Sequence, residues 1–103
     1  MFAIMTKFGE QPNVVTYNTL MNGYCLINNV KESRELFNKM TRIGLTPNVI
    51  SYSILINGYC KSKMLDEALN MLKEMRVRNL VPDTITYSSL IDAFLENYHK
   101  RKI

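Results

Sequence analysis

A chain of 103 residues, of which 47% are hydrophobic and 21% charged, is long enough for one small domain. Its net charge of +4 at pH 7 favours an anionic partner without requiring one. The apolar stretches are short and interrupted, which excludes a transmembrane helix, and residues 1–5 are too short for the apolar region of a signal peptide. Two cysteines and one histidine cannot build a conventional zinc site or a disulfide framework. We therefore expect no metal, cofactor, small-molecule substrate, membrane contact or enzymatic activity.

An internal repeat with a period of 35 residues runs through the sequence. The identical pairs are Val14 and Val49, Tyr17 and Tyr52, Leu20 and Leu55, Asn22–Cys25 and Asn57–Cys60, Glu32 and Glu67, Met40 and Met75, Leu45 and Leu80, and Pro47 and Pro82. The repeat predicts a chain divided into the C-terminal part of a preceding repeat (1–13), two full repeats (14–48 and 49–83) and a partial repeat (84–103).

Each repeat contains two stretches with the hydrophobic spacing of a helix. The first stretch, helix A, is defined by Tyr52, Leu55, Ile56, Tyr59 and Cys60, and the same spacing follows Tyr17 and Tyr87. The second stretch, helix B, is defined by Leu65, Ala68, Leu69, Leu72 and Met75, with a weaker match at Val30, Ser33, Phe37 and Met40. We expect the tyrosines of helix A, Tyr87 included, and both cysteines to pack in the core as apolar groups.

The residues between the helices predict where each helix ends. Gly44 and its counterpart Asn79 tolerate the left-handed conformation that follows a helix, and Pro12, Pro47 and Pro82 stop any continuation. Asn13, Asn48 and Asp83 can cap the next helix A, in competition with Thr16, Ser51 and Thr86. Because so short a helix pair cannot bury its own apolar stripes, the pattern predicts an all-α fold, an α-solenoid of stacked antiparallel helix pairs.

The runs Val14–Cys25 and Val49–Cys60, closed by Gly44–Asn48 and Leu80–Asp83, resemble the pentatricopeptide repeat family. The resemblance covers essentially the whole chain, and its 35-residue period distinguishes it from the tetratricopeptide family, which has a period of 34. The unbroken repeat length resembles the P subclass, especially the fertility-restorer-like proteins of plant organelles. The resemblance implies that the solenoid forms part of a right-handed superhelix.

The resemblance also implies binding of single-stranded RNA, with about one base per repeat. In that family the fifth and last residues of a repeat read the base, and the second residue packs against it. The positions that match are Asn18 and Asn48 with Val15, Ser53 and Asp83 with Ile50, Ser88 with Ile85, and Asn13 as the last residue of a preceding repeat. The family's base code makes Asn18 and Asn48 a pyrimidine reader, and Ser53 and Asp83 a guanine reader. A lysine at the thirteenth place meets phosphate, and only Lys61 fits, since Leu26 and Glu96 hold the other two places.

Helix geometry supports this face independently, because residues three and four apart share one side of a helix. The aligned sets are Val15, Asn18 and Asn22, then Ile50, Ser53 and Asn57, then Ile85, Ser88 and Asp92. We expect short, solvent-facing polar groups here, with aliphatic neighbours that pack on a base. Asparagine offers a donor and an acceptor to a pyrimidine edge, whereas aspartate only accepts and suits the N–H groups of guanine.

The sequence therefore predicts sequence-selective binding of single-stranded RNA in organellar RNA processing, stabilisation or translation control. The resemblance alone also implies the location, which we expect to be the mitochondrion, with the plastid as the alternative. The competing hypothesis is a solenoid that binds a protein or peptide, or that self-associates through exposed repeat ends. Aromatic or arginine anchors on the helix A face would favour that alternative.

Overall fold

The computed structural model describes the backbone of residues 13–102 and the side chains of residues 13–99. Five helices occupy this range: α1 (Val14–Leu26), α2 (Val30–Arg42), α3 (Val49–Lys61), α4 (Leu65–Val77) and α5 (Thr84–Lys102). All regular structure in residues 13–102 is helical, and no helix there is long and apolar enough to span a bilayer. The predicted part of a preceding repeat lies outside the described residues, except for Asn13.

The helices stack as consecutive pairs. Short connections fold α2 back onto α1 and α4 back onto α3, while α3 also packs against α1 and α5. The A helices α1, α3 and α5 therefore lie side by side in one layer, with the B helices α2 and α4 behind them. This arrangement confirms the predicted all-α solenoid, and its layer of A helices carries the candidate site.

Asparagine and aspartate, rather than the competing hydroxyl residues, cap the A helices. The carboxamide or carboxylate Oδ1 of Asn13, Asn48 and Asp83 accepts the backbone N–H of Thr16, Ser51 and Thr86 at 3.0, 3.0 and 2.8 Å. The Asn48 N–H also donates to Ser51 Oγ at 3.1 Å, which completes a reciprocal capping box. The last residue before each A helix is thereby fixed in place by that helix.

A residue in the left-handed backbone conformation follows each of four helices. Gly44 (φ 90°) and Asn79 (φ 62°) follow the B helices, as predicted. Asn28 (φ 60°) and Lys63 (φ 62°) do the same after α1 and α3, which the sequence pattern did not indicate. Glycine and asparagine adopt this conformation readily, whereas a lysine pays a steric cost for it.

The core is centred on α3, because that helix is packed on both sides. Tyr52, Leu55 and Ile56 are completely buried, and the Tyr52 ring meets the edge of Phe37 with ring centroids 5.2 Å apart. The Tyr52 hydroxyl donates to Glu74 Oε1 at 3.1 Å. Burial, together with the Glu74 carboxylate, raises the pKa of Tyr52 to about 12, so the phenol stays protonated and keeps this hydrogen bond.

Two packing expectations need correction. Tyr87 is exposed along with its neighbours Phe94 and Leu95, because no helix in the described part of the chain packs on the outer face of α5. Cys25 and Cys60 are half-buried rather than fully buried. Burial raises the pKa of both thiols, so they stay protonated near neutral pH and act as small packing groups.

Gly58 is a point of close approach between two repeats. A Cβ atom there would lie 2.6 Å from Cys25 Sγ and 3.1 Å from a Val30 methyl carbon. At Gly23, the equivalent residue one repeat earlier, no described atom lies within 4 Å of such a Cβ. The α1–α3 spacing therefore depends on the missing side chain at Gly58.

We expect Gly58→Ala to lower the free energy of unfolding by about 1–3 kcal/mol, because the added methyl group overpacks the α1–α3 contact. Gly23→Ala is the matched control, and it should raise stability by up to about 1 kcal/mol, as alanine does inside a helix. Urea denaturation of the two variants measures both effects. Equal stabilisation by the two exchanges would contradict the close approach at Gly58.

Candidate nucleic-acid interface

A row of branched aliphatic side chains marks the first turn of every A helix. Val15, Ile50 and Ile85 are 70%, 59% and 68% exposed, although their chemistry favours burial. Single exposed apolar residues are common on proteins. These three recur at the same place in each repeat and lie beside polar residues, which is typical of a binding surface rather than of chance exposure.

The first cleft lies between α1 and α3, and it brings together four of the predicted site residues. Asn18 and Asn48, the predicted pyrimidine readers, face it together with Val15 and Ile50, the predicted packing residues. The complete lining is Val15, Asn18, Thr19, Asn22, Asn48, Ile50 and Ile54. Residues 30 positions apart in the sequence thus meet at one surface.

Hydrogen bonds hold the two asparagines of the first cleft in a fixed orientation. Asn18 Nδ2 donates to Asn48 Oδ1 at 3.2 Å, and Ser51 Oγ donates to Asn18 Oδ1 at 2.6 Å. Asn48 Oδ1 also accepts the Ser51 N–H. The Asn18 amide nitrogen has a second N–H and its amide oxygen has a second lone pair, so each atom can still form a hydrogen bond with a ligand.

The second cleft adjoins the first and shares Ile50, Ile54 and Asn22 with it. It contains the predicted guanine readers Ser53 and Asp83. Its complete lining is Asn22, Cys25, Leu26, Ile50, Ser53, Ile54, Asn57, Gly58, Lys61 and Asp83. Ile85 does not line it. Lys61, the predicted phosphate contact, is exposed at the last position of α3 and lies within this cleft.

Asp83 and Ser53 are connected through Thr86. The Thr86 N–H donates to Asp83 Oδ1, and the buried Thr86 hydroxyl donates to Ser53 Oγ at 2.9 Å. Hydrogen bonds from Thr86 hold the pKa of the Asp83 carboxyl below its usual range. Asp83 therefore remains a carboxylate, and an acceptor, at any pH above the normal aspartate range.

The expectation that the fifth residues face solvent is wrong for the two full repeats. Asn18 is 6% exposed and Ser53 is 8% exposed, because the hydroxyl residue in the first turn of the next A helix packs directly on each. Helix periodicity places these residues on the correct side of their own helix. It contains no information about how closely the neighbouring helix approaches.

Within the described residues, the other two predicted readers lie apart from both clefts. Ser88 is exposed on α5, and Asn13 is exposed where it caps α1. Glu96, which holds the thirteenth place of the partial repeat, forms an ion pair with Lys63, and both residues line a separate depression with Cys60. Its charge is therefore balanced locally and does not face the second cleft.

Sequence reasoning missed several contributors to the site. Ser51 and Thr86 were considered only as helix caps, yet each orients a predicted reader. Ile54 also lines both clefts. The residues at the equivalent position of the other repeats, Thr19 and Ser89, are polar, so the repeat does not mark this position as apolar. Within residues 13–99, no group of three or more histidine, cysteine or acidic side chains could hold a metal ion.

We expect Ser53→Ala to cost about 1 kcal/mol of folding free energy, because it removes the acceptor of the buried Thr86 hydroxyl. Ser88→Ala is the matched control: the same exchange at an exposed position should stay within about 0.5 kcal/mol of the parent chain. Urea denaturation followed by circular dichroism measures both. Indistinguishable midpoints would show that the Ser53–Thr86 hydrogen bond contributes nothing.

Comparison with known proteins agrees with this architecture. The PPR repeat family model matches residues 12–61 and 47–96. One match is the pentatricopeptide repeat protein PPR10 in complex with an 18-nt psaJ RNA element, whose sequence is 31% identical to this chain with a TM-score of 0.78. The match covers 90% of this chain and 14% of that chain. PPR10 from maize is 28% identical at the same TM-score, covering 95% and 14%.

The PPR domain of Arabidopsis thaliana protein-only RNase P 1, in complex with tRNA, shares the fold at 19% identity, with a TM-score of 0.78 and coverage of 98% and 52%. No curated protein matches the sequence. The chain spans about one seventh of the length of PPR10, at 14%. The family match covers more than half of the chain and coincides with the 35-residue repeat and the stacked helix pairs, so this chain belongs to the pentatricopeptide repeat family.

Proposed function

We propose that the chain binds single-stranded RNA sequence-selectively, with one base in each cleft and without catalysis. The observation that carries this proposal is that two predicted reader pairs and their aliphatic neighbours line adjoining clefts on one layer of helices. The matched PPR10 structure contains an RNA element, which supports the same class of ligand for this chain. Both clefts run along the face formed by the A helices.

The first cleft suits a pyrimidine. The bonds from Ser51 and to Asn48 fix the Asn18 carboxamide, so its free N–H and its free lone pair point in set directions. A pyrimidine edge presents a donor beside an acceptor, which such a carboxamide can match in two hydrogen bonds. A purine edge presents both groups as well, so the preference for a pyrimidine comes from the family's base code. The proposed preference is cytosine ahead of uracil.

The second cleft suits guanine. Asp83 is a carboxylate at neutral pH, hydrogen bonds from Thr86 lower its pKa further, and a carboxylate accepts only. Guanine presents two adjacent N–H donor groups on its Watson–Crick edge, whereas adenine and the pyrimidines do not. The Ser53 side chain lines the same cleft as Asp83 and adds only a small hydroxyl group to it.

Ile50 lines both clefts and therefore lies between the two proposed bases. Val15 closes the first cleft on its far side. Consecutive bases would alternate with aliphatic side chains, each base packing a π face on a branched methyl group. No aromatic or arginine side chain lines either cleft, so neither cleft offers the anchors on which a peptide-binding surface depends.

We further propose that this binding serves organellar RNA processing, stabilisation or translation control, in the mitochondrion or alternatively the plastid. The support for these finer assignments is the sequence resemblance to P-subclass, fertility-restorer-like proteins. The division into full repeats at 14–48 and 49–83 belongs to the same proposal, since each cleft draws one reader from within a repeat and one from its last residue.

The base-reading proposal predicts that Ser53→Asn with Asp83→Asn changes the second cleft from guanine to pyrimidine preference. The pair then reproduces the combination found at Asn18 and Asn48. Discrimination at one base is typically worth about 1–3 kcal/mol, which is roughly 5- to 150-fold in affinity. Fluorescence anisotropy with eight-nucleotide RNAs that vary at one position, at fixed salt, measures the change.

The first cleft is the internal control, because its preference should not change in the double variant. Adding Thr86→Ser makes the supporting hydroxyl match Ser51 and guards against a misfit of the longer side chain. Unchanged guanine preference in a folded variant that still binds RNA would exclude base reading by this pair. Tight binding of a peptide instead of RNA would favour the protein-binding alternative.

We expect Lys61→Ala to weaken binding of all RNA sequences by a similar factor, because phosphate contacts carry no sequence information. The slope of log affinity against log salt should fall by about 0.7 for the lost phosphate contact with single-stranded RNA. Lys73→Ala, on α4 and outside both clefts, is the charge-matched control. A base-dependent effect of Lys61→Ala would place that side chain at a base edge instead.

A further inference from the structure

The second cleft contains a polar atom that the proposed base reading does not use. Asn57 Oδ1 is buried and has no hydrogen-bond partner, and it is the only such side-chain atom among the described residues. Its residue nevertheless lines the cleft, between Ser53 and Lys61. Leaving a buried acceptor unpaired costs folding free energy, so such an atom calls for an explanation.

The position of Asn57 along α3 indicates which group of a bound nucleotide lies opposite its unpaired Oδ1 atom. Ser53, Asn57 and Lys61 are four residues apart, so they occupy one face of the helix at intervals of about 6 Å. The first position belongs to the proposed base reader, and the last to the proposed phosphate contact. A nucleotide runs in the same order from base through ribose to phosphate, which places the ribose opposite Asn57.

The unpaired atom is an acceptor and therefore needs a donor. Inside an RNA strand the 3′ and 5′ oxygens are esterified, and a phosphodiester has no proton to donate at neutral pH. The 2′-hydroxyl is the only donor that the ribose offers, and DNA lacks it. The terminal torsion of an asparagine side chain is broad, so rotation about it can bring Oδ1 to the cleft that the residue lines.

We infer that Asn57 accepts a hydrogen bond from the 2′-hydroxyl of the nucleotide read by Ser53 and Asp83, and so makes the second cleft selective for RNA over DNA. This inference rests on the proposed function. Asn22, the equivalent residue of the preceding repeat, is exposed and already solvated. It gains less from a 2′-hydroxyl, so we expect the sugar selectivity to be concentrated at the nucleotide in the second cleft.

The test measures binding of the 103-residue chain to labelled eight-nucleotide RNAs. Each RNA is oligouridine with cytidine and guanosine as its two central nucleotides, and both orders, C–G and G–C, are used. For each order, one further probe replaces the guanosine by 2′-deoxyguanosine and another replaces it by 2′-fluoroguanosine. The fluorine keeps the RNA sugar pucker but removes the donor. Both probes should bind about fivefold more weakly than the parent RNA, as expected for one net hydrogen bond. A 2′-deoxycytidine at the neighbouring position should cost less than about twofold.

Variants of Asn57 separate this hydrogen bond from a structural role. Asn57→Leu should weaken RNA binding by about fivefold and abolish the difference between guanosine and 2′-deoxyguanosine. Asn57→Asp retains an acceptor and should keep that difference, even though its charge weakens overall binding. Asn70→Leu, the same exchange at an exposed position on α4, should change neither quantity.

The outcomes are distinguishable. Equal binding of guanosine, 2′-deoxyguanosine and 2′-fluoroguanosine probes, with guanine preference intact, would overturn the inference and leave the proposed function standing. Absence of any RNA binding would overturn both. Should Asn57→Leu fail to fold by circular dichroism, the sugar series on the parent chain and on Asn57→Asp decides the question.

Discussion

The packing of each A helix against the next is the interaction on which the rest of the structure depends. A single pair of 13-residue helices leaves apolar surface uncovered, and α3 buries its surface only because α1 and α5 flank it while α4 packs behind. Gly58 permits the close approach to Cys25, and Ser51 and Thr86 form hydrogen bonds across the two junctions. Both clefts lie on the solvent side of the α1–α3 junction, and Asp83, the cap of α5, adds to the second, so their spacing is set by the core.

The residue that ends one repeat also begins the next helix, and this double use fixes its geometry. Asn48 caps α3 with the same Oδ1 that holds Asn18 in place, and Asp83 caps α5 while facing the second cleft. A flexible loop residue would lose conformational entropy on binding a base. A capping residue has already lost it during folding, so more of its interaction energy is available for recognition.

The sequence predicted the features that depend on local periodicity and turn chemistry. The helix pairs, the helix ends at Gly44 and Asn79 and the candidate caps Asn48 and Asp83 follow from the 35-residue repeat, whereas the pairing of Asn18 with Asn48 is implied by the family resemblance. The burial of Ser53 and the exposure of Tyr87 could not be predicted, because each depends on whether a neighbouring helix covers that face. The unpaired oxygen of Asn57 is likewise a property of the packed cleft and has no sequence signal.

In the proposed function, capping also limits which bases these clefts can select. The residue before α3 and before α5 accepts a backbone N–H from that helix, a role that favours asparagine, aspartate, serine and threonine. After capping, these side chains keep different hydrogen-bonding groups for a base. An amide keeps two N–H donors, a carboxylate keeps only acceptor lone pairs, and a hydroxyl keeps one O–H group. Base choice then has to come from the combination with the fifth residue. For this reason the proposed reader pairs, Asn18 with Asn48 and Ser53 with Asp83, offer different hydrogen-bonding groups on the same backbone.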